Sequence, residues 1–356
     1  MSQDTKRDYT GKTVFVGIDV HKKTYSCAAL CDNSIIKRDT LPACPDGLVT
    51  YIRDAFPEAT VRTAYEAGFS GFYLHRYLLK NKIENIVVHP ASIEISARDR
   101  VKTDKRDALK IVTQLAAGRL RGIYVPCVEQ EARRNISRLR ANTMTSRTRV
   151  ALRLKSLLFT QNLIQNDDDT TITLKWINQK YGEVKKLNTP DFMYTVEHYI
   201  AQWKTLTEEL KQIQKKLHQQ SKSDATLHAL YESAPGIGLI HGRELANELS
   251  DMSQFKNIKQ LFSFTGLTPS QYSSGEYIRY GSMSRQGRSV LRKILIEAAW
   301  VAIKKDKHLY DVYEQLSKRR GKKRAIVGVA RRLVGRMRAC IISKQCYAIK
   351  PFPKDE

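Results

Sequence analysis

Long apolar runs are absent from this sequence of 356 residues. None approaches the ~18 residues that a membrane-spanning helix needs, and the polar start from Met1 to Lys12 lacks a signal-peptide core. The six cysteines form no CxxC pair and lie at no zinc-ligand spacing, and no Walker loop is present. These absences predict no membrane insertion, no structural zinc and no ATP-driven chemistry. We expect a cytoplasmic protein with reduced thiols.

Acidic residues are scarce beside basic ones. The chain holds 61 Lys and Arg against 36 Asp and Glu, a formal net charge of +25 at pH 7. A surplus of this size is costly in a compact molecule unless a polyanion offsets it. Nucleic acid is therefore the expected partner, and an acidic membrane surface is the weaker alternative. The length indicates two or three domains.

Short apolar runs and turn residues predict an α/β domain over residues 1–125. Three strands joined by short connections, which favour antiparallel pairing, precede alternating helices and strands. That order is typical of the ribonuclease H-like fold. The predicted strands are 14–18, 24–30, 34–38, 61–65 and 85–88, and the predicted helices are 46–56, 71–80 and 103–117.

Glycine is nearly absent from the middle of the chain, and residues 126–224 are predicted to form long helices. Apolar residues recur there in steps of three and four, which favours either a dimeric coiled coil or a helical hairpin within one chain. Arginines on the preceding helix have few acidic neighbours in sequence, so we predict a nucleic-acid-binding face that includes Arg138. The apolar residues that form the seam of the predicted coiled coil or helical hairpin are Val196, Tyr199, Trp203, Leu206, Leu210, Ile213 and Leu217.

Residues 225–356 are predicted to form a third, mainly helical domain. Its Pro235-Gly236-Ile237-Gly238 turn before an amphipathic helix is similar to a helix-hairpin-helix, in which glycines let backbone amides approach a phosphate. A plain helix N-terminus is the alternative. The basic run from Lys318 to Arg324 favours contact with a nucleic-acid backbone.

Four carboxylates occupy positions that would converge in a ribonuclease H-like sheet. Asp19 and Glu66 end predicted strands, and Asp104 and Asp107 open a predicted helix at i, i+3 spacing. Two unit charges ~4 Å apart repel by about 4 kcal/mol at an effective dielectric near 20, so such a cluster needs a cation. Oxygen ligands select Mg²⁺, with Mn²⁺ possible. Taken singly, each acid also fits a structural role without metal binding. Asp104 and Asp107 could stabilise a helix N-terminus, Asp19 could cap a turn, and Glu66 could be a surface acid.

Several sequence blocks resemble the DEDD transposases of the insertion-sequence-110 family, which includes Piv-type DNA invertases. They lie in two regions, on either side of the helical middle, which together cover roughly half of the chain and follow the order of the family. The blocks are Gly17–Lys22, Tyr65–Gly68, Lys102–Ala108, the PGIG turn, Phe264–Pro269, Ser273–Gly275 and Ser284–Gly287.

This resemblance implies a RuvC-like domain that holds magnesium with Asp19, Glu66, Asp104 and Asp107. It also implies a C-terminal catalytic serine that links covalently to a DNA phosphate. The implied partners are double-stranded DNA of the element ends and target, a structured guide RNA, and further copies of the chain, as a homodimer or tetramer.

The serine is expected in a loop before Gly275. Ser274 is our choice of nucleophile and Ser273 is the rival, because the adjacent pair leaves the alignment ambiguous by one residue. A serine hydroxyl needs a base or a metal to activate it, and nearby arginines could hold the phosphate. The predicted nucleic-acid contacts are Lys22, Lys102, Lys105, Arg106, Arg138, Gly236, Gly238, Arg279, Arg285, Arg288 and Arg292.

Three functions fit these features. The first is a magnesium-dependent, serine-using recombinase that cuts and rejoins DNA. The second is a two-metal nuclease, such as a Holliday-junction resolvase, in which water attacks and Ser274 is only structural. The third is a nucleic-acid-binding protein without catalysis, whose behaviour would not change when Asp104 and Asp107 become asparagine.

Overall fold

The computed structural model describes residues 8–94, 104–165, 171–274 and 277–353, without the side chains of residues 104, 105, 273, 274, 278 and 280. Contacts within the chain divide it into two compact units, residues 1–125 and 126–356. The first unit contains a five-stranded sheet and the second is mostly helical. The predicted combination of an α/β region with a helical region is therefore confirmed. A further division at residue 225 stays a prediction.

In the first unit, the sheet has the strand order β3-β2-β1-β4-β5. The pairs β1–β2 and β2–β3 are antiparallel, and β4 and β5 continue the sheet in parallel with β1. Every strand and helix predicted in this region is present, with ends shifted by a few residues. The elements are β1 (Thr13–Val20), β2 (Thr24–Cys31), β3 (Ser34–Pro42), α1 (Pro45–Ala55), β4 (Thr60–Glu66), α2 (Tyr73–Lys80), β5 (Glu84–Val88) and α3 (Asp104–Ala116).

The connection between β2 and β3 sets the register of the antiparallel edge. It consists of two residues, Asp32 and Asn33, with φ angles of 47° and 59°. Two consecutive positive φ angles are the signature of the type I′ turn, whose twist matches that of paired strands, and Asp and Asn tolerate this conformation.

The two faces of the sheet carry different layers. On β1, Val14, Val16 and Ile18 are fully buried in a core that also contains apolar residues of α1 and α2. The intervening position, Gly17, faces α3 because successive strand residues point to opposite faces. A Cβ at Gly17 would lie 2.4 Å from the carbonyl oxygen of Ala108, so only glycine allows α3 to lie this close to the sheet.

Among its described residues, the second unit is built from nine helices and one β-hairpin. In neither unit does a described helix combine the length and the apolar character that a membrane span requires. The elements are α4 (Val128–Phe159), α5 (Leu174–Lys186), α6 (Pro190–Ser223), α7 (Ala225–Glu232), α8 (Leu239–Leu249), α9 (Ile258–Thr265), β6 (Pro269–Ser274), β7 (Tyr277–Met283), α10 (Ser289–Lys305), α11 (Lys307–Arg320) and α12 (Lys322–Ser343).

The apolar seam of α6 packs within the chain. Val196 and Trp203 are buried in one cluster with Leu154 and Leu158 of α4. Leu210 and Leu217, further along the same seam, are also buried. The seam is therefore used as the helical-hairpin alternative predicts, and coiled-coil dimerisation stays a prediction.

Candidate active site

Two of the four predicted carboxylates lie side by side at one edge of the sheet. Strands β1 and β4 run parallel, and their register pairs Ile18 with Tyr65. The next residue on each strand is the acid, Asp19 on β1 and Glu66 on β4. Neighbouring strands lie ~4.8 Å apart and equivalent residues point to the same face, so these two carboxylates share one face of the sheet.

Helix α3 brings a third acid to the same face. The carbonyl oxygen of Ala108 lies against Gly17, two positions before Asp19 on the same side of β1. Asp107 directly precedes Ala108 and therefore lies near this strand end. Its Oδ1 accepts a hydrogen bond from Lys110 Nζ at 3.2 Å. Asp104 begins the helix, and its side chain lies outside the described part of the structure.

A histidine that sequence reasoning did not assign lies in this site. His21 Nε2 is 2.9 Å from Asp19 Oδ2, and both side chains are partly buried. The ring therefore fixes one carboxylate oxygen of Asp19. The signal available in the sequence was proximity, because His21 follows Asp19 by two residues and directly follows the end of β1.

The donor set fits a hard divalent cation. Asp19, Glu66 and Asp107 offer only carboxylate oxygens, the ligand type that magnesium and manganese prefer. Among the described side chains, which do not include that of Asp104, no three potential ligands lie close enough together to hold an ion. The strand register brings Asp19 and Glu66 together, and the assignment of Asp19, Glu66, Asp104 and Asp107 as metal ligands stays a prediction.

The predicted nucleophile lies on a strand, so the expected loop position is wrong. Ser273 and Ser274 end β6, where their backbones pair with Ile278 and Tyr277 of β7. The Ser-Ser-Gly sequence favoured a loop, but cross-strand pairing extends the strand up to Ser274. The hairpin thus holds the backbone of both serines in a defined register at its tip.

Two glycines fix the base of this hairpin. A Cβ at Gly287 would lie 2.2 Å from the backbone nitrogen of Gly266, so the two backbones are in direct contact. Backbone hydrogen bonds from Ser284 to Thr268 and from Arg288 to Phe264 close the same junction. The clamp joins the end of α9 to the start of α10, and it accounts physically for two glycines in the blocks used for the family resemblance.

The PGIG turn connects α7 to α8. Gly236 has a φ of 83°, and a Cβ there would lie 2.4 Å from the carbonyl oxygen of Ala298 on α10. This glycine is therefore required for packing inside the protein. Gly238 is the N-cap of α8, and a Cβ there would have no neighbour within 4 Å. Of the two predicted phosphate contacts, only Gly238 has open space around it.

Arginines of α4 are balanced by acids of α8, which corrects the interpretation that they lack acidic partners. Arg138 Nε lies 3.0 Å from Glu248 Oε1, and Arg140 Nη1 lies 3.0 Å from Glu244 Oε1. These acids lie about 110 residues further along the chain, so the pairing could not be predicted from neighbouring residues in the sequence. Burial raises the pKa of Glu244, and Arg140 opposes this. A nucleic-acid contact by Arg138 stays a prediction.

The remaining predicted contacts differ in their surroundings. Arg288 shares Glu248 with Arg138, at 4.0 Å, and burial lowers its pKa. Arg292 Nη1 lies 3.5 Å from the carbonyl oxygen of Gly266 and supports the hairpin clamp. Lys102 lies outside the described residues, as does the side chain of Lys105. The contacts that are exposed on the surface are Lys22, Arg106, Arg279, Arg285 and Arg288.

Two family models match this chain, one over the first unit and helix α4 and the other within the second unit. A DEDD-type IS110 transposase model matches residues 16–161, which include all four acids. The model described as transposase IS116/IS110/IS902 family matches residues 228–314, which include the PGIG turn, the hairpin and the glycine clamp.

Relatives match over much of the chain. Transposase y4rJ of Sinorhizobium fredii is 30% identical, over 78% of this chain and 76% of its own length. The transposase for insertion sequence element IS1533 of Leptospira borgpetersenii is 26% identical, over 81% and 85%. Transposase y4qE of S. fredii is 26% identical over 66% of this chain, which spans 57% of that relative. The chain belongs to the IS110 family of insertion-sequence transposases.

Proposed function

We propose that this protein is a magnesium-dependent DNA recombinase that moves an insertion sequence by cutting and rejoining DNA strands. In this proposal the first unit is a ribonuclease H-like (RuvC-like) domain, and the second carries a serine nucleophile. The observation that supports it best is the position of two acids on neighbouring parallel strands. Ile18 pairs with Tyr65, and Asp19 and Glu66 are the next residues on the two strands. Adjacent like charges on one face favour a cation between them.

The acids and the histidine have distinct roles in this proposal. Asp19, Glu66, Asp104 and Asp107 hold Mg²⁺, and bound magnesium would stabilise charge on the phosphate and activate an oxygen nucleophile. His21 is a positioning residue, because its hydrogen bond fixes one carboxylate oxygen of Asp19. The ion pair with Lys110 orients Asp107 in the same way.

Ser274 is proposed to form a covalent link to DNA. Its Oγ attacks the phosphorus, a serine–phosphate bond forms, the phosphorus–oxygen bond to the leaving strand breaks, and the serine proton ends on the leaving oxygen. A hydroxyl of the incoming strand then reverses these steps and regenerates the serine. Phosphodiester energy is conserved in the covalent link, so no nucleotide cofactor is consumed.

The test uses labelled element-end DNA, magnesium, and RNA transcribed from the element's flanks. Wild type, Ser274→Ala, Ser273→Ala and the double variant Asp104→Asn/Asp107→Asn are compared on denaturing gels. We expect label to migrate with wild type and with Ser273→Ala, and to be lost from Ser274→Ala and the double variant. Cleavage without an adduct, undiminished in both serine variants, would indicate a water-using nuclease instead.

A guide RNA and a dimeric or tetrameric assembly are also proposed, on the basis of family membership and the charge of +25. The same reaction without the flank RNA tests the guide, and no adduct is expected to form. Sedimentation of the protein with and without RNA tests the assembly. Full activity without RNA, from a monomer, would refute both parts while leaving the serine chemistry intact.

A further inference from the structure

The serine hairpin displays two exposed aromatic side chains. Tyr277 is 84% exposed and Tyr272 is 71% exposed, and among the described residues Tyr277 is the most exposed large apolar side chain. An aromatic ring left in water forgoes the stabilisation that burial gives, so such a pair at one hairpin tip indicates a binding surface.

The strand register assigns both rings to one face. Ser274 pairs with Tyr277, and Tyr272 pairs with Arg279. Directly opposed residues lie on the same face of an antiparallel pair, and so do residues i and i+2 of one strand. The positions of Tyr272, Ser274, Tyr277 and Arg279 therefore form one face, which we call the tyrosine face. Gln271 belongs to the opposite face.

The charge around the tyrosine face indicates the class of its partner. Arg279 is exposed on the same face, and Arg285 is exposed just beyond β7. Exposed aromatic rings interleaved with guanidinium groups suit nucleic acid, because bases stack on the rings while arginines neutralise phosphates. Diagonal positions on such a face lie ~7–8 Å apart, which places both rings within reach of neighbouring nucleotides.

Unpaired DNA fits this surface better than a duplex. The flat faces of bases are covered by stacking inside a duplex, and they become available to protein side chains only when nucleotides are unpaired or turned out. The tyrosine face also carries the position of Ser274, which in the proposed function reacts with a DNA phosphate. A strand held there would have its bases on the rings and its backbone beside the serine.

We infer that the tyrosine face binds unpaired nucleotides of the DNA strand that is being cut, with bases stacked on Tyr272 and Tyr277 and a phosphate held by Arg279. This inference rests on the proposed function for its choice of DNA. It also favours Ser274 over Ser273 as the nucleophile, because only Ser274 shares the register positions of this face.

The test measures affinity, not activity. Fluorescence anisotropy follows the binding of a labelled single-stranded DNA oligonucleotide, the same sequence as a duplex, and its RNA counterpart. Variants are Tyr272→Ala, Tyr277→Ala, the two Tyr→Phe substitutions and Tyr194→Ala. Tyr194 lies on α6, is 63% exposed and serves as a matched aromatic control.

Each Tyr→Ala substitution in the hairpin is expected to weaken single-stranded DNA binding about 5- to 150-fold, as loss of one stacking platform does. The phenylalanine variants should bind within about threefold of wild type, since the ring is retained. Duplex binding should change much less, and Tyr194→Ala should bind all three nucleic acids as wild type does.

Unchanged single-stranded DNA affinity in both Tyr→Ala variants overturns the inference, as does an equal loss on duplex DNA or a loss confined to RNA. A change in oligomeric state with no change in DNA affinity would identify the face as a contact between copies, and this also overturns it. If the adduct test fails but the tyrosine effect holds, the surface stands and the serine chemistry falls. If adducts form but the Tyr→Ala substitutions do not change DNA affinity, the serine chemistry stands and the proposed binding surface falls.

Discussion

Carboxylates in the two compact units have opposite surroundings. In the first unit, Asp19 and Glu66 directly follow the paired residues Ile18 and Tyr65 on two parallel strands, and both lie on the same face of the sheet. Negative charge is therefore concentrated at the ends of these two strands. In the second unit, Glu248 is 7% exposed and lies within 4.0 Å of guanidinium groups from Arg134, Arg138 and Arg288. The first arrangement concentrates charge for a cation to neutralise, whereas the second uses an acid to neutralise arginines already present.

The difference teaches how to separate a reactive acid from a structural one in a basic protein. An acid that lies among arginines contributes to the stability of the fold, because its removal leaves several buried or half-buried cations without a counter-charge. An acid beside another acid contributes little to stability, and can oppose it. Stability measurements on matched substitutions can therefore distinguish the two roles without any activity assay.

The largest expected effect follows from neutralising one acid of each kind. Glu248→Gln should lower the free energy of unfolding of the second unit by about 2 kcal/mol, less than for a fully buried pair because Arg138 and Arg288 are partly exposed. Glu66→Gln, in the first unit, should change stability by less than about 0.5 kcal/mol or raise it, as measured by the labelling rate of the buried Cys27 and Cys31 thiols. All three tryptophans, Trp176, Trp203 and Trp300, lie in the second unit, so tryptophan fluorescence in urea reports on that unit alone.

The control for this comparison is Glu209→Gln on the exposed side of α6, which should leave the fluorescence transition in place. Equal destabilisation by Glu248→Gln and Glu209→Gln would mean that the arginine cluster adds no stability. A large loss of stability in Glu66→Gln would mean that this acid has a structural role, and the contrast between the units would disappear.

A glycine substitution tests whether α3 is held against the sheet. An alanine Cβ at Gly17 would lie 2.4 Å from Ala108 O and 2.5 Å from Val112 N, both backbone atoms that cannot rotate away. Gly17→Ala should therefore destabilise the first unit by about 1–3 kcal/mol through overpacking. The readout is the rate at which the buried thiols of Cys27 and Cys31 are labelled, since exposed Cys44, Cys127 and Cys346 react first.

Gly182→Ala is the matched control in the second unit. Gly182 lies inside α5 with no atom within 4 Å of an added Cβ, so alanine should stabilise that helix by about 0.5–1 kcal/mol. The two substitutions should move different transitions in opposite directions. Unchanged thiol labelling in Gly17→Ala would show that α3 can move away from β1 at little cost.

The sheet was predictable because its signals are local. Alternating burial along β1, the Asp32-Asn33 turn and the i, i+3 acids of α3 each depend on a few neighbouring residues, and all of these elements are present. The pairing of α4 arginines with α8 acids was not predictable, because the partners are about 110 residues apart and only tertiary packing joins them. The prediction of a loop at Ser273 and Ser274 was wrong for a related reason. Ser-Ser-Gly by itself is typical of a loop, but pairing with β7 makes both serines part of a strand.

The smallest expected effect concerns His228, a buried histidine of α7 near the α8 acids and arginines. Its Nε2 lies 3.2 Å from Glu232 Oε2, and a Cβ added at Gly242 would meet its ring at 3.3 Å. Burial lowers the pKa of His228, as does the charge of Arg243, while Glu232 and Asp224 oppose this shift.

A lowered pKa in the folded state means that the unfolded chain takes up the proton first. The stability associated with neutral His228 is therefore full above the ordinary histidine pKa of 6.5 and is lost as the pH falls through and below that value. Wild type should lose more of its tryptophan-detected stability between about pH 7 and pH 5 than His228→Gln, whose side chain does not titrate. His198→Gln, an exposed histidine of α6, should keep the wild-type slope. If His228→Gln and wild type have parallel profiles, protonation of this ring does not oppose folding, and the carboxylates of Glu232 and Asp224 compensate fully for its burial.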